Sequence, residues 1–399
     1  AKNTELEGEN YAPSSSSFQK PANVHTKNDT VTVGYFLGGG IQNSFNKESY
    51  PAFSGEQSLY TPYRSGFRFL GWYSDAALHK QIKTIPTDRK DHYILYAKWT
   101  AKINNYYNVE YYNYHKRESR FGKNLVLLKD LDYSFYNEID IPGMPDTREE
   151  DVLKKYIFSA SQCPQGICLT DEFVLITSCM GELMVFDRET GEYMVTLGMD
   201  ENSHLGGIAF DGDNVWVCNS YENCVERISY DFIELMAYQN TGDVVDARDV
   251  VDEFPVKNTP SCITWYGGRL WIATHTLLVN SRMVAYYLDK KTDKLIALSD
   301  YKIPQKVQGV TFDDSGNVYL STVTALATRP KHPRKKVEMP PASEELDVSD
   351  NTLYILFESA GEKYYEGTDG KGKSLFPLDK ILKIPIRELD VNGSSTSGT

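Results

Sequence analysis

Seven polar side chains fall at recurring places in the second half of this 399-residue sequence: Gln165, His204, Asn219, His275, Gln308, Glu344 and Glu358. Brought together, their imidazoles, carboxylates and carboxamides can bind a polar ligand through paired donors and acceptors. Glu344, Glu358 or His204 also has the chemistry of a general acid or base. His204, His275, Glu344 and Glu358 are metal-ligand types, but no tight spacing such as H-x-x-x-H joins them, so neither a metal nor a cofactor is expected. The competing role for such residues is to hold ordered water and cap buried strand ends. All six cysteines lie between positions 163 and 262. Cys218 and Cys224 flank a short turn, and Cys163 and Cys179 lie across a hairpin, so both pairs are candidate disulfides. Cys168 and Cys262 read as packed small hydrophobes. No C-x-x-C spacing or nucleophile signature accompanies any of them.

What must position the seven residues is an internal repeat. Four segments share a strand opened by a small residue, a tight polar turn and a hydrophobic strand: Gln165–Leu169 with Phe173–Ser178, Gly206–Phe210 with Val215–Asn219, Ser261–Trp265 with Leu270–Thr274, and Gln308–Phe312 with Val318–Thr322. A fifth, Glu344–Val348 with Leu353–Phe357, carries Glu345 where the others favour glycine. Turns such as Asp211–Asn214 and Asp313–Gly316 have the expected composition. Third strands follow at Leu183–Asp187, Val225–Ser229, Met283–Asp289 and Lys380–Ile384. Four antiparallel strands repeated every ~40–55 residues are the signature of a β-propeller. Five copies predict five blades, with six as the alternative if residues 105–150 form another. Val152–Phe158 is expected to close the ring beside Lys380–Ile384, removing an open edge. The starts of the inner strands and the ends of the second strands then meet at one mouth. That geometry selects the seven residues above, with Gly206, Ser261, Ser178, Thr274 and Thr322 beside them. Trp216, Trp271 and Tyr354 share a strand position and are expected to pack between blades.

In these residues the region is similar to the YVTN/quinoprotein-like and glutamine-cyclotransferase-like propellers. Of the F-T-Q-G-like opening typical of the cyclotransferases, Cys163–Gly166 and Lys306–Gly309 keep only Gln-Gly. The first half carries a second resemblance. Thr30–Phe36 alternates like a strand and a Gly38–Gly40 turn follows; Gly66–Asp75 and Tyr96–Trp99 then match a G-Y-x-F-x-G-W-Y-x-D core and a Y-A-x-W end, with Phe67 in place of the usual Tyr. This resembles the Listeria–Bacteroides (internalin B-type) repeat, which implies a small β-grasp-like module of bacterial surface proteins. Read from the residues alone, Phe69, Trp72, Leu95 and Trp99 form a core.

The expected organisation is a disordered segment over 1–28, the repeat module over 29–101, a connector with some β structure over 102–150, the propeller over 151–390 and a flexible tail over 391–399. The fold class is all-β. A hydrophobic content of 41%, with 28 Tyr and 17 Phe, is globular and suits strands. The net charge of −13 disfavours nucleic acid and anionic membranes. The basic run Arg329–Lys336 reads as a solvated loop, with an acidic glycan or protein as its conceivable contact. No apolar run reaches the ~18 residues a membrane span needs. If the protein is secreted, its signal has been removed, or the chain is part of a longer one. The expectation is an extracellular or cell-surface bacterial protein, monomeric, whose propeller binds a glycan, a peptide or a host or cell-surface protein. The alternative is an enzyme at the propeller mouth, glutaminyl-cyclase-like or lyase-like.

Overall fold

The computed structural model describes residues 29–99 apart from 41, 44, 63 and 65–68; residues 125–140; and residues 163–389 apart from 180, 200–203, 241–242, 323–324, 329–334, 341 and 361–379. The protein is all-β, with Tyr230–Gln239 the one α-helix among the described residues. No helix among them is long and apolar enough to cross a membrane.

The N-terminal unit is a five-stranded sheet in the order Ser49–Pro51, Thr30–Phe36, His92–Trp99, Phe69–Tyr73, Gln81–Ile82. Thr30–Phe36 and His92–Trp99 run parallel at its centre. Val31, Val33, Trp72, Ile85 and Leu95 are buried, with Phe69 and Trp99 packed against them as the sequence predicts. Both indoles keep a polar partner: Trp72 Nε1 donates to the Tyr60 carbonyl at 2.9 Å and Trp99 Nε1 to that of Leu37 at 2.8 Å. Gly66–Arg68 of the repeat signature lie outside the described residues.

The second unit contains five successive sheets. Their inner strands are Pro164–Leu169, Ile208–Phe210, Cys262–Tyr266, Val307–Phe312 and Ser343–Ser349, each antiparallel to the strand that follows it. Each inner strand lies beside the next, and the fifth lies beside the first. Among the described residues no single hydrogen-bonded sheet closes on itself, and neighbouring sheets pack mainly through apolar side chains. Five buried clusters fill the five interfaces. Leu175 and Leu197 of the first sheet meet Val215 and Ile228 of the second, and Trp216 and Phe254 meet Ile272 and Tyr286 of the third. Met283 and Ile303 meet Val310 and Leu320 of the fourth, and Tyr319 and Val337 meet Leu353 and Ile384 of the fifth. Tyr354 and Ile381 then return to Ile176 and Phe186 of the first. Strands covered on both faces read as near-continuous apolar runs, which is why Phe173–Ser178 is buried at every position. Each of its apolar side chains, Phe173 to Ile176, contributes about 1.5–3 kcal/mol when buried.

Four expectations need correction. The strand beside Lys380–Pro385 is Ser134–Asp140, so it occupies the place expected for 154–158, which lies outside the described residues. Leu125–Leu127 adds a parallel fifth strand to the fourth sheet on Lys335–Glu338. Within segment 102–150 the described residues 125–140 thus add strands to two existing sheets; the rest lies outside the described residues. Within the basic run, Lys335 and Lys336 belong to a strand; 329–334 lie outside the described residues. All six cysteines are thiols. Cys218 stands opposite Val225 and Cys224 opposite Asn219, so the two thiols face opposite sides of their sheet and cannot meet. Cys163 and Cys179 are joined by a backbone hydrogen bond of 3.0 Å.

The inner strands approach so closely that a Cβ on Gly207 would lie 2.8 Å from Cys262 Cα and 2.9 Å from the Ile263 nitrogen, both backbone atoms. Gly207→Ala is therefore expected to destabilise the protein by about 2–3 kcal/mol, read by urea unfolding. Gly34→Ala, whose new methyl would meet nothing nearer than 4.0 Å in the N-terminal sheet, should leave stability within about 1 kcal/mol of the parent.

Candidate functional site

Where the five inner strands begin, a polar depression of about 450 Å³ opens on the surface. Every sheet reaches it: Gln165 from the first, His204 and Tyr221 from the second, Ser261 and His275 from the third, Gln308 from the fourth, Glu344 and Glu358 from the fifth. Six of the seven residues picked out from sequence thus share one wall. The seventh, Asn219, does not. It is fully buried, donates through Nδ2 to Glu226 Oε1 at 2.8 Å, and accepts the Glu222 N–H at 3.2 Å, capping the turn behind the depression. Ser220, Tyr221 and Thr259 also line the depression and were not foreseen. The signal for them was weak: Ser220 and Tyr221 stand one and two residues beyond Asn219, and Thr259 lies midway between two strands, in connections whose path the repeat does not specify.

Hydrogen bonds fix much of the wall. Gln308 Nε2 donates to Glu344 Oε1 at 3.1 Å. Ser261 Oγ accepts the His275 N–H at 2.9 Å, and Gln165 Nε2 donates to the Pro164 carbonyl at 3.2 Å. His204 packs its ring at 47° to that of Tyr221, with centroids 5.8 Å apart. Burial, and then the Lys306 ammonium, lower the His275 pKa below the usual histidine value, which favours a neutral imidazole. Among the described residues no three His, Cys, Asp or Glu side chains are grouped to hold a metal ion. The thiols of Cys168, Cys218 and Cys262 are raised well above the usual range by burial, so they offer no nucleophile.

Directly beneath, Glu345 turns into the centre of the five strands and is fully buried. Its Oε2 accepts the Ile208 N–H at 2.8 Å and its Oε1 the Ile263 N–H at 3.1 Å. These are the residues just after Gly207 and Cys262, so one carboxyl group reaches the second and third sheets from the fifth. The small residues make the room. A Cβ on Gly166 would lie 2.9 Å from Glu345 Oε2, and one on Gly309 2.6 Å from Glu345 Cα. The repeat places Glu345 in the glycine slot but gives no hint that its carboxylate spans the axis.

No protein-family model matches the chain, and no curated protein does. Among solved structures it is similar to a nidogen/laminin complex, at 16% identity over 49% of this chain and 72% of that one, with a TM-score of 0.34. It is also similar to the hydrazine synthase of Kuenenia stuttgartiensis, at 13% identity over 50% of this chain and 57% of that one, with a TM-score of 0.31. A third is the glutaminyl cyclase of Myxococcus xanthus, at 10% identity over 57% and 93%, with a TM-score of 0.37. The match thus takes in little more than half of the hydrazine synthase chain. Likenesses at these values establish no shared activity.

Burial raises the Glu345 pKa well above the usual glutamate value, against the backbone N–H groups that lower it. The folded state then binds this proton more tightly than the unfolded state, whose glutamate titrates near 4.3. Its stabilising contribution is complete below that pH and is lost as pH rises through the folded value. Glu345→Gln removes the titration. The stability margin of the parent over Glu345→Gln, from urea unfolding between about pH 4 and pH 8, should therefore shrink as pH rises. A margin that grows instead would show the N–H donors outweighing burial.

Proposed function

We propose that the five sheets are the blades of a five-bladed β-propeller and that the protein is a binding module. Its mouth takes a short polar segment of a partner protein. One observation carries this reading: all five sheets send polar side chains to a single depression of about 450 Å³. Its lining holds imidazoles, carboxamides, hydroxyls and carboxylates, so both donors and acceptors are present for the polar groups of a peptide. The hydrogen bond from Gln308 to Glu344 favours a fixed recognition surface over proton transfer at that carboxylate. Just after His275 the chain presents Leu277, Leu278 and Val279, with Leu278 90% exposed. Three consecutive exposed apolar residues beside a polar mouth suit a partner large enough to cover both.

We also infer a bacterial cell-surface setting. It is supported by the resemblance of residues 29–101 to the internalin B-type repeat, which rests on the aromatic pattern of that segment, and by a net charge that suits no nucleic acid. Cell fractionation tests it, and a cytoplasmic location would defeat it.

The binding reading is tested with peptide and glycan arrays probed with the full chain, followed by thermal shift on the hits. A ligand at ~100 times its Kd should stabilise the protein by about 2.7 kcal/mol and raise Tm by roughly 5–10 °C. His204→Ala with Glu358→Ala should abolish that shift. Leu278→Asp should weaken an intact protein partner while sparing a short peptide. Hits confined to glycans would replace the peptide with a sugar as the ligand, and hits indifferent to His204 and Glu358 would exclude the mouth.

A further inference from the structure

The five inner strands do not enter the mouth in the same way. In the second and third sheets the inner strand pairs with its neighbour without interruption. In the other three the register shifts by one residue at the mouth end. Pro164 and Gly166 stand opposite the consecutive residues Ser178 and Thr177, which leaves Gln165 extra. Val307 and Gly309 stand opposite Thr322 and Ser321, which leaves Gln308 extra. Ser343 and Leu346 stand opposite Phe357 and Ile355, so Glu344 and Glu345 together face one residue. Each is a β-bulge, the device by which a strand re-aims a side chain. The three sheets are consecutive, the fourth beside the fifth and the fifth beside the first. The Glu344 carboxylate thus stands on the sheet between those of two carboxamides, and all three side chains line the depression.

Both amides use their nitrogen on the wall itself. Gln308 Nε2 donates to Glu344 Oε1 at 3.1 Å and Gln165 Nε2 to the Pro164 carbonyl at 3.2 Å. A carboxylate and a carbonyl only accept, so these partners fix which end of each amide is nitrogen. Among the described residues neither amide oxygen meets a donor. A carboxylate that holds one such bond has acceptor sites left. This side of the mouth therefore offers acceptors. Its charge has the matching sign: two glutamates line the depression, and no lysine or arginine does. We propose, on the reading of the mouth as a peptide-binding site, that Gln165, Gln308 and Glu344 hold an ammonium group of the bound segment. An alkylammonium has three donors and no acceptor, the complement of acceptors carried by three strands. Its bond to Glu344 is charge-assisted, stronger than one between neutral groups. A guanidinium is a flat fork that suits a carboxylate with both oxygens open, and Glu344 already gives one to Gln308. The ammonium is that of a lysine side chain or of a peptide's amino terminus.

The test is calorimetric titration of the full chain, near neutral pH, with three short peptides. One is blocked at both ends around a central lysine, the second is the same peptide acetylated on the lysine Nζ, and the third lacks lysine but has a free amino terminus. The lysine peptide should bind, and its acetylated form should bind about ten- to a hundredfold more weakly, the range set by a hydrogen bond to a charged group. Glu344→Gln, which keeps the shape and removes the charge, should weaken the lysine peptide by a similar factor. Gln165→Met, which keeps the length and removes an acceptor, should weaken it by about tenfold. Binding of the third peptide alone, lost when its amino terminus is acetylated, would support the proposal with the chain end as the source. The acetylation comparisons use the parent chain, so they decide the matter even if a variant fails to fold. Equal binding of the lysine peptide and its acetylated form, or no binding by any of the three peptides, overturns the proposal. Array hits lost in His204→Ala with Glu358→Ala would then still stand for the mouth as a binding site, so the two readings can fail separately.

Discussion

Backbone N–H groups that converge at the centre of the five inner strands need acceptors, and one carboxyl group, that of Glu345, meets two of them at once. The rest of the second unit is arranged around that requirement. Apolar clusters hold neighbouring sheets together, but hydrophobic contact is non-directional and does not by itself set how far one strand slides along another. Hydrogen bonds of 2.8 and 3.1 Å to a single side chain do. The same side chain explains why its counterparts are small. Gly166, Gly207 and Gly309 have no space for a methyl group, and Glu345 or its backbone is among the atoms in the way at each.

The depression inherits its rigidity from this centre. Gln165, Gln308 and Glu344 stand on the inner strands, within one or two residues of the slot, so their placement follows from packing that cannot shift without breaking the hub. His204, Tyr221 and His275 stand on connections, and each is tied down differently. His204 and Tyr221 pack ring against ring, and the His275 backbone is held by Ser261. The mouth therefore combines a fixed floor with a rim whose parts are secured one at a time, the usual division between scaffold and binding loops.

What could be read from sequence followed the strength of local periodicity. The inner strand pairs were legible because each repeats a small residue, a polar turn and a run of β-branched and aromatic residues. In two of them the turn aspartate also takes the aromatic donor of the second strand, as Asp211 does from Trp216 Nε1 and Asp313 from the Tyr319 hydroxyl, both at 2.8 Å. Leu125–Leu127 was not legible, since three residues carry no period and their parallel partner lies far along the chain. Ser134–Asp140, with few aliphatic residues, lacks the apolar run of the strands it joins. Tyr230–Gln239 follows the third strand of its repeat, where the repeat specifies nothing. Its helix is revealed by Ile233 and Ala237, four apart and both buried against the first two sheets. Asn219 was misplaced because the repeat shows where a strand ends but not which way its last side chain turns.

The order in which these strands leave the ribosome differs from the order in which they pair. Leu125–Leu127 and Ser134–Asp140 are made before any of the five repeats, yet their partners are Lys335–Glu338 and Lys380–Pro385, near the other end. At ordinary elongation rates roughly 10–40 s separate the synthesis of the two sides. Throughout that interval the nascent chain carries two strands that cannot yet be paired, while the first three sheets already have all their own. The early strands thus behave as a clasp made first and fastened last, and their exposure during translation is where chaperones would be needed most.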